Sequence, residues 1–215
     1  MSIIIVHELG HLTAAKIFKW KTDKIYIYPL GGITKFNESI NRSLKEELII
    51  VLMGPIFQII YYNFLTYMNI ENIAEFNFIL LGFNLLPIYP LDGGKLLNVI
   101  LSYFLPYKFS YKITMVISYT VYILMLFTFI LFSKSFFFTL ISFFLIFKVI
   151  EEYERRNYYY NKFLLERYLN EFKFSKIKYI NRIDKMQRDR IHFFKCKGTV
   201  ITEKKMLQNY FKNNI

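Results

Sequence analysis

Two histidines four residues apart flank a glutamate in His7-Glu8-Leu9-Gly10-His11, a spacing that puts both imidazoles on one face of a helix. Two ring nitrogens can then point at one divalent ion. Glu8 stands beside them as a carboxylate able to hold and deprotonate a water whose pKa zinc brings down to roughly 7. Chance spacing, or a pair of hydrogen-bonded core histidines, is the competing explanation. Yet the chain has only three histidines, and two of them fall here. The setting also speaks against chance, because the motif lies in the apolar run from Ser2 to Phe18. An Asp, Arg or Lys at the centre of a membrane helix costs roughly 2.5–3.5 kcal/mol, so ionisable groups there generally serve function.

With the fourth position kept for water, two histidines leave a tetrahedral zinc one protein ligand short. Asp92 is the other acidic residue embedded in an apolar, Gly- and Pro-punctuated stretch, Phe83-Asn84-Leu85-Leu86-Pro87-Ile88-Tyr89-Pro90-Leu91-Asp92-Gly93-Gly94. Pro87 and Pro90 remove backbone donors and kink a helix, while Gly93 and Gly94 permit tight geometry, so the segment can bend Asp92 inward. Alternatively, Asp92 caps a helix that begins near Gly93. Asn84, a turn or two earlier, offers amide donors that could hold a developing oxyanion, or else a helix–helix hydrogen bond.

The stretches His7-Glu8-Leu9-Gly10-His11 and Asn84-Leu85-Leu86-Pro87-Ile88-Tyr89-Pro90-Leu91-Asp92-Gly93-Gly94-Lys95 resemble the two signatures of the site-2 protease family of intramembrane metalloproteases. A closer likeness, to the sporulation branch of that family, is carried by Tyr28-Pro29-Leu30-Gly31-Gly32, Leu44-Lys45-Glu46-Glu47, Met53-Gly54-Pro55, Glu151-Glu152-Tyr153 and Phe163-Leu164-Leu165-Glu166-Arg167-Tyr168. The likeness implies one Zn2+ held by His7, His11 and Asp92, with Glu8 as the catalytic acid/base. It implies a protein substrate, the pro-sequence of a sporulation sigma factor (pro-sigma-K), and membrane lipid and membrane regulatory proteins as further partners. The family places another transmembrane helix before the metal motif, so either the natural start lies upstream or this core lacks that helix. Members of the branch often carry a nucleotide-binding regulatory domain at the C-terminus. The residues after Asn170 are few for such a domain and hold no phosphate-cradling glycine run, which counts against nucleotide control.

Composition fits a membrane setting: 54% of the 215 residues are hydrophobic and mean hydropathy is +0.28, too apolar for an ordinary soluble domain. The net charge of +12 lies mostly after residue 150, where 16 Lys and Arg face 8 Asp and Glu, a net +8. Flanking the last apolar span, that excess places the tail in the cytoplasm beside anionic lipid, and no nucleic-acid-binding motif accompanies it. The single Cys196 excludes an internal disulfide and suits a reducing compartment. The N-terminal apolar run has neither a basic leader nor a small-residue cleavage site, so we read it as part of the mature protein rather than a signal peptide.

These residues need elements to position them. The expected fold is an α-helical polytopic membrane protein with about five transmembrane helices, a membrane-associated β-hairpin and a short cytoplasmic helical tail. The intramembrane core would be residues 1–150 and the basic amphipathic tail 151–215. Lys16, Lys19, Trp20 and Lys21 mark the interface after the first span. Residues 24–36 read as two strands about a turn at Pro29 and Gly31-Gly32, whose edge could hold an extended substrate, with Gly31 and Gly32 its contact residues; a plain interfacial loop is the alternative. Ser43 would cap a helix with Glu46 and Glu47 in its first turn. Further spans are expected over Leu48–Met68, with Gln58 and Asn63 as interhelical hydrogen bonders, over Asn72–Tyr89, with Leu96–Leu105 continuing as helix beyond the break, and over Lys112–Phe132 and Phe136–Ile150, the last running on into Glu151. Pro106-Tyr107-Lys108 reads as a turn and His192 as a surface histidine.

Overall fold

The computed structural model describes residues 2–28, 31–36, 39–70, 74–132, 136–196 and 199–214. Its first helix, α1 (Ser2–Ile17), buries Ile3, Ile4, His7, Gly10, His11 and Ala14, a stripe recurring every three or four residues that faces α2 (Leu44–Tyr67). Small residues let the two backbones approach closely. A Cβ on Gly10 would strike the Met53 carbonyl, and one on Gly54 would overlap the His11 imidazole. Between these helices, β1 (Thr22–Tyr28) and β2 (Gly31–Phe36) pair antiparallel, and β2 is the strand that lies against α1. Gly31 and Gly32 sit in that strand, opposite Tyr28 and Ile27, rather than in the turn. Pro29, expected in the turn, lies outside the described residues.

The next apolar run is a broken helix, as the prolines and glycines imply, but its first part stops at Asn84, before Tyr89. α3 (Ala74–Asn84) is only 11 residues, about 16 Å of helix, and an irregular segment joins it to α4 (Asp92–Phe104). Ser118 on α5 (Tyr107–Phe132) ties that segment down: its Oγ accepts the Tyr89 N–H at 2.9 Å and contacts the Pro87 carbonyl at 3.3 Å. α5 begins at Tyr107, so the expected turn at Pro106-Tyr107-Lys108 is largely the helix's first turn. α6 (Phe136–Glu154) continues past Glu151 as expected.

Polar and apolar residues are distributed inside out. Gln58, Asn77, Ser102, Ser110, Thr114 and Ser118 are buried, whereas Phe127 is 60% and Phe143 72% exposed. An exposed apolar surface of this kind marks a membrane or protein interaction face. Among the described residues, two helical stretches are long and apolar enough to cross alone, Leu44–Tyr67 and Tyr107–Thr128. The 16 residues of α1 reach about 24 Å, short of roughly 30 Å of hydrocarbon. Asn63 lies on the exposed face of α2, so of the two expected interhelical bonders only Gln58 turns inward.

The tail departs most from expectation. After α7 (Arg156–Leu169) the chain forms a three-stranded sheet in the order β3 (Lys176–Ile180), β4 (Arg190–Cys196), β5 (Thr199–Thr202), and ends in α8 (Glu203–Asn214). β3 and β4 run parallel, β4 and β5 antiparallel. Phe163, Leu164, Ile180, Met186, Phe194 and Leu207 make its core and close over Tyr107 of α5. The unit is bolted to the ends of the core helices. Asp189 Oδ2 accepts the Leu44 N–H at 3.0 Å, taking the capping role expected of Ser43, whose side chain makes no cap bond. Arg188 pairs with Glu47 at 2.5 Å, and Gln187 donates to the Phe104 carbonyl at 2.8 Å. His192 is fully buried at the centre of this unit, not on its surface, because the sheet and α8 fold over it.

Candidate metal centre

α1 and α2 supply one side of the site and the start of α4 the other. His11 donates from Nδ1 to the Ile50 carbonyl at 2.8 Å, an atom that can only accept. The Gln58 amide donates to Asn77 O and Oδ1 at 3.1 and 3.0 Å, which leaves its Oε1 to accept the His7 Nδ1 proton at 2.8 Å. With both Nδ1–H groups committed outward, neutral imidazoles turn their Nε2 lone pairs inward. Asp92 Oδ2 meets them there, 2.8 Å from His7 Nε2 and 3.0 Å from His11 Nε2, with the two nitrogens 3.2 Å apart.

Three acceptors facing one another in a buried space call for a cation. Ligand bonds of about 2.0–2.1 Å to a tetrahedral zinc give edges of about 3.3 Å between ligand atoms, so the triangle fits that ion after an outward adjustment of a few tenths of an ångström. The outer partners of both rings follow the same logic, since a ligating histidine commonly donates its second N–H to a carbonyl or amide oxygen. Lys95 holds the other Asp92 oxygen, Oδ1, at 3.4 Å. Glu8 is buried, with a carboxylate oxygen within 4.8 Å of one ring nitrogen of each of His7 and His11.

Asp92 comes inward because α4 starts at Asp92 itself, with Leu91 as the N-cap, so the alternative of an Asp92 cap is not what forms. Gly93 and Gly94 make the bend possible: a Cβ on Gly93 would collide with the Leu85 and Leu86 carbonyls, and one on Gly94 would come within 2.5 Å of Tyr89 N. Asn84 is buried on the face of α3 that carries Asn77, about 10 Å further along the axis. Among the described residues its amide makes no hydrogen bond to the three-acceptor cluster. Sequence reasoning gives Asn77 and Ser118 no role and takes Lys95 only as the end of the Asp92 stretch. Asn77 lies seven residues before Asn84 on one face of an apolar helix, and Lys95 three after Asp92, and those spacings are the signal that was there to find.

The site is about 9 Å from the tail-side end of the helices, since His11 precedes Ile17, and Ile50 follows Leu44, by six residues each. A broken helix delivering a carboxylate to a His-Glu-x-x-His helix is the architecture of one class of peptidase. Residues 1–70 and 61–128 match the model of peptidase family M50, and the chain belongs to that family, the site-2 proteases. It is 35% identical over 178 residues to stage IV sporulation protein FB of Bacillus subtilis, covering 77% of this chain and 61% of that protein. Over 158 residues it is 32% identical to a zinc metalloprotease of Methanocaldococcus jannaschii, covering 69% of this chain and 46% of the relative. The chain thus spans about three fifths and just under half of these relatives. Its fold superimposes on the solved site-2 protease from Methanocaldococcus jannaschii with a TM-score of 0.58 and 31% identity, over 70% of this chain and 74% of that one.

Proposed function

We propose that this chain is a zinc-dependent intramembrane endopeptidase. The observation that carries the proposal is the convergence of His7 Nε2, His11 Nε2 and Asp92 Oδ2 within 3.2 Å of one another in a buried, largely apolar setting. These three would hold one Zn2+, which when bound supplies Lewis-acid polarisation of a carbonyl and acidifies a water. Glu8 would take the proton from the attacking water and return it to the leaving amine. Asn84 would donate to the developing oxyanion. Gly31 and Gly32 would offer backbone groups on β2 to an unwound substrate segment, because a helical substrate has no free carbonyl to present. Gln58 and Asn77 keep the His7 ring in one orientation.

In this proposal residues 1–150 are the membrane-embedded core, with five passages made by α1, α2, α3 together with α4, α5 and α6, and residues 151–215 lie in the cytoplasm. The shallow depth of the site on the tail side suits a cut near the cytoplasmic face of a membrane-associated substrate. The likeness to stage IV sporulation protein FB supports a sporulation pro-sigma factor, pro-sigma-K, as that substrate. A zinc-binding scaffold or a metal transporter would not need a carboxylate beside the ligand pair, and we do not favour either. Co-expression of the chain with pro-sigma-K, read by size shift, tests the reading. Cleavage should occur with the wild type and stop with Glu8→Gln at unchanged zinc content; processing that survives Glu8→Gln would overturn it.

A further inference from the structure

Where α5 begins its membrane passage, the tail sheet and the α4–α5 elbow enclose a groove of about 660 Å3. Three cations open onto it, Lys178 from β3, Lys185 from the 3-10 turn Ile183–Lys185, and Lys195 from β4. Its lining contains no acidic residue. The opposite wall is apolar: Phe109 and Ile113, one turn apart on α5, are 44% and 36% exposed. Their exposed strip continues along α5 through Val116, so it leads from the groove directly into the zone the span occupies. Tyr179 lies between the two chemistries, its ring 5.2 Å from Lys195 Nζ.

Three lysines lining one groove, with no carboxylate among the lining residues, attract an anion, and an apolar track beside them suits a hydrocarbon chain more than a free inorganic ion. Long lysine stems can lie along such a wall while their heads stay at headgroup level. We infer that this groove binds an anionic phospholipid, its phosphate among Lys178, Lys185 and Lys195 and one acyl chain along Phe109 and Ile113. The bound lipid would join the tail sheet to α5 at the membrane surface, and it does so whether or not the chain cleaves anything.

Native mass spectrometry of the full chain, released from vesicles of equal parts phosphatidylglycerol and phosphatidylcholine, tests the inference. The wild type should retain phosphatidylglycerol in about tenfold preference. Lys178→Gln/Lys185→Gln/Lys195→Gln should lose that preference, while Lys173→Gln/Lys205→Gln/Lys212→Gln, with the same charge change elsewhere on the tail, should keep it. Lys178 also donates to Gln187 at 3.1 Å, so Lys185→Gln/Lys195→Gln, which spares that bond, should weaken the preference in a chain of unaltered melting temperature. Excess soluble glycerol phosphate should not displace the lipid. Equal retention of the two lipids, equal loss in both triple variants, displacement by glycerol phosphate, or competition by a protein segment at the groove would each overturn the assignment.

Discussion

At the scale of single residues, the proposed metal centre would depend on groups that do not themselves ligate the ion. Gln58 accepts the Nδ1 proton of His7 and is itself locked by Asn77, so Gln58→Leu leaves a buried N–H without a partner and frees the ring to turn. Zinc affinity, measured by chelator competition, should fall roughly 10- to 100-fold. Gly54→Ala pushes a methyl group into the His11 ring and should cost about 100-fold in cleavage. Gly82→Ala, where an added Cβ meets nothing within 4 Å, is the silent control. His7, Glu8 and His11 were legible because helical periodicity alone puts two imidazoles on one face. Asp92 was legible because an acid amid prolines and glycines in an apolar run has little other reason to be there. The Gln58–Asn77 relay was not legible, since which polar side chains meet across helices is decided by packing.

Among the elements, the break between α3 and α4 does the positioning. Prolines and glycines announce it, but nothing local says that Ser118, 29 residues beyond Tyr89, will satisfy its backbone. Ser118→Ala should destabilise the fold by about 1–3 kcal/mol through the unpaired Tyr89 N–H, seen as a lowered Tm, and should reduce zinc occupancy by loosening the Asp92 turn. The hairpin was legible from alternating β-formers. The stop of α3 at Asn84 is not legible, because hydropathy counts apolar residues and does not register where within an apolar run the helix ends.

For the molecule as a whole, the tail is a folded unit clamped to the ends of α2, α4 and α5. Its sheet was hidden because strands of only four to seven residues, set in a strongly charged tail, carry too short a pattern of their own, and their burial depends on α7 and α8 closing over them. That closure also sets a pH response. Burial pushes the His192 pKa below its usual 6.5, against the opposing pull of Glu203. The proton would have to occupy Nε2, which already accepts the Gln187 N–H at 3.0 Å, with Arg167 and Lys178 nearby. Above 6.5 the ring is neutral whether folded or not, so the contribution to stability is complete there. As pH falls through 6.5 the unfolded chain takes up a proton that the folded tail resists, and stability drops until the folded pKa is passed. The protection factors of the β4 amides, which correct the exchange rates for intrinsic chemistry, should therefore fall as pH drops below 6.5, and His192→Gln should flatten that change. The most direct test of the account is zinc stoichiometry in the purified full chain: one ion per chain, kept in Glu8→Gln and lost in each of His7→Ala, His11→Ala and Asp92→Ala. Full zinc retention in Asp92→Ala would contradict it.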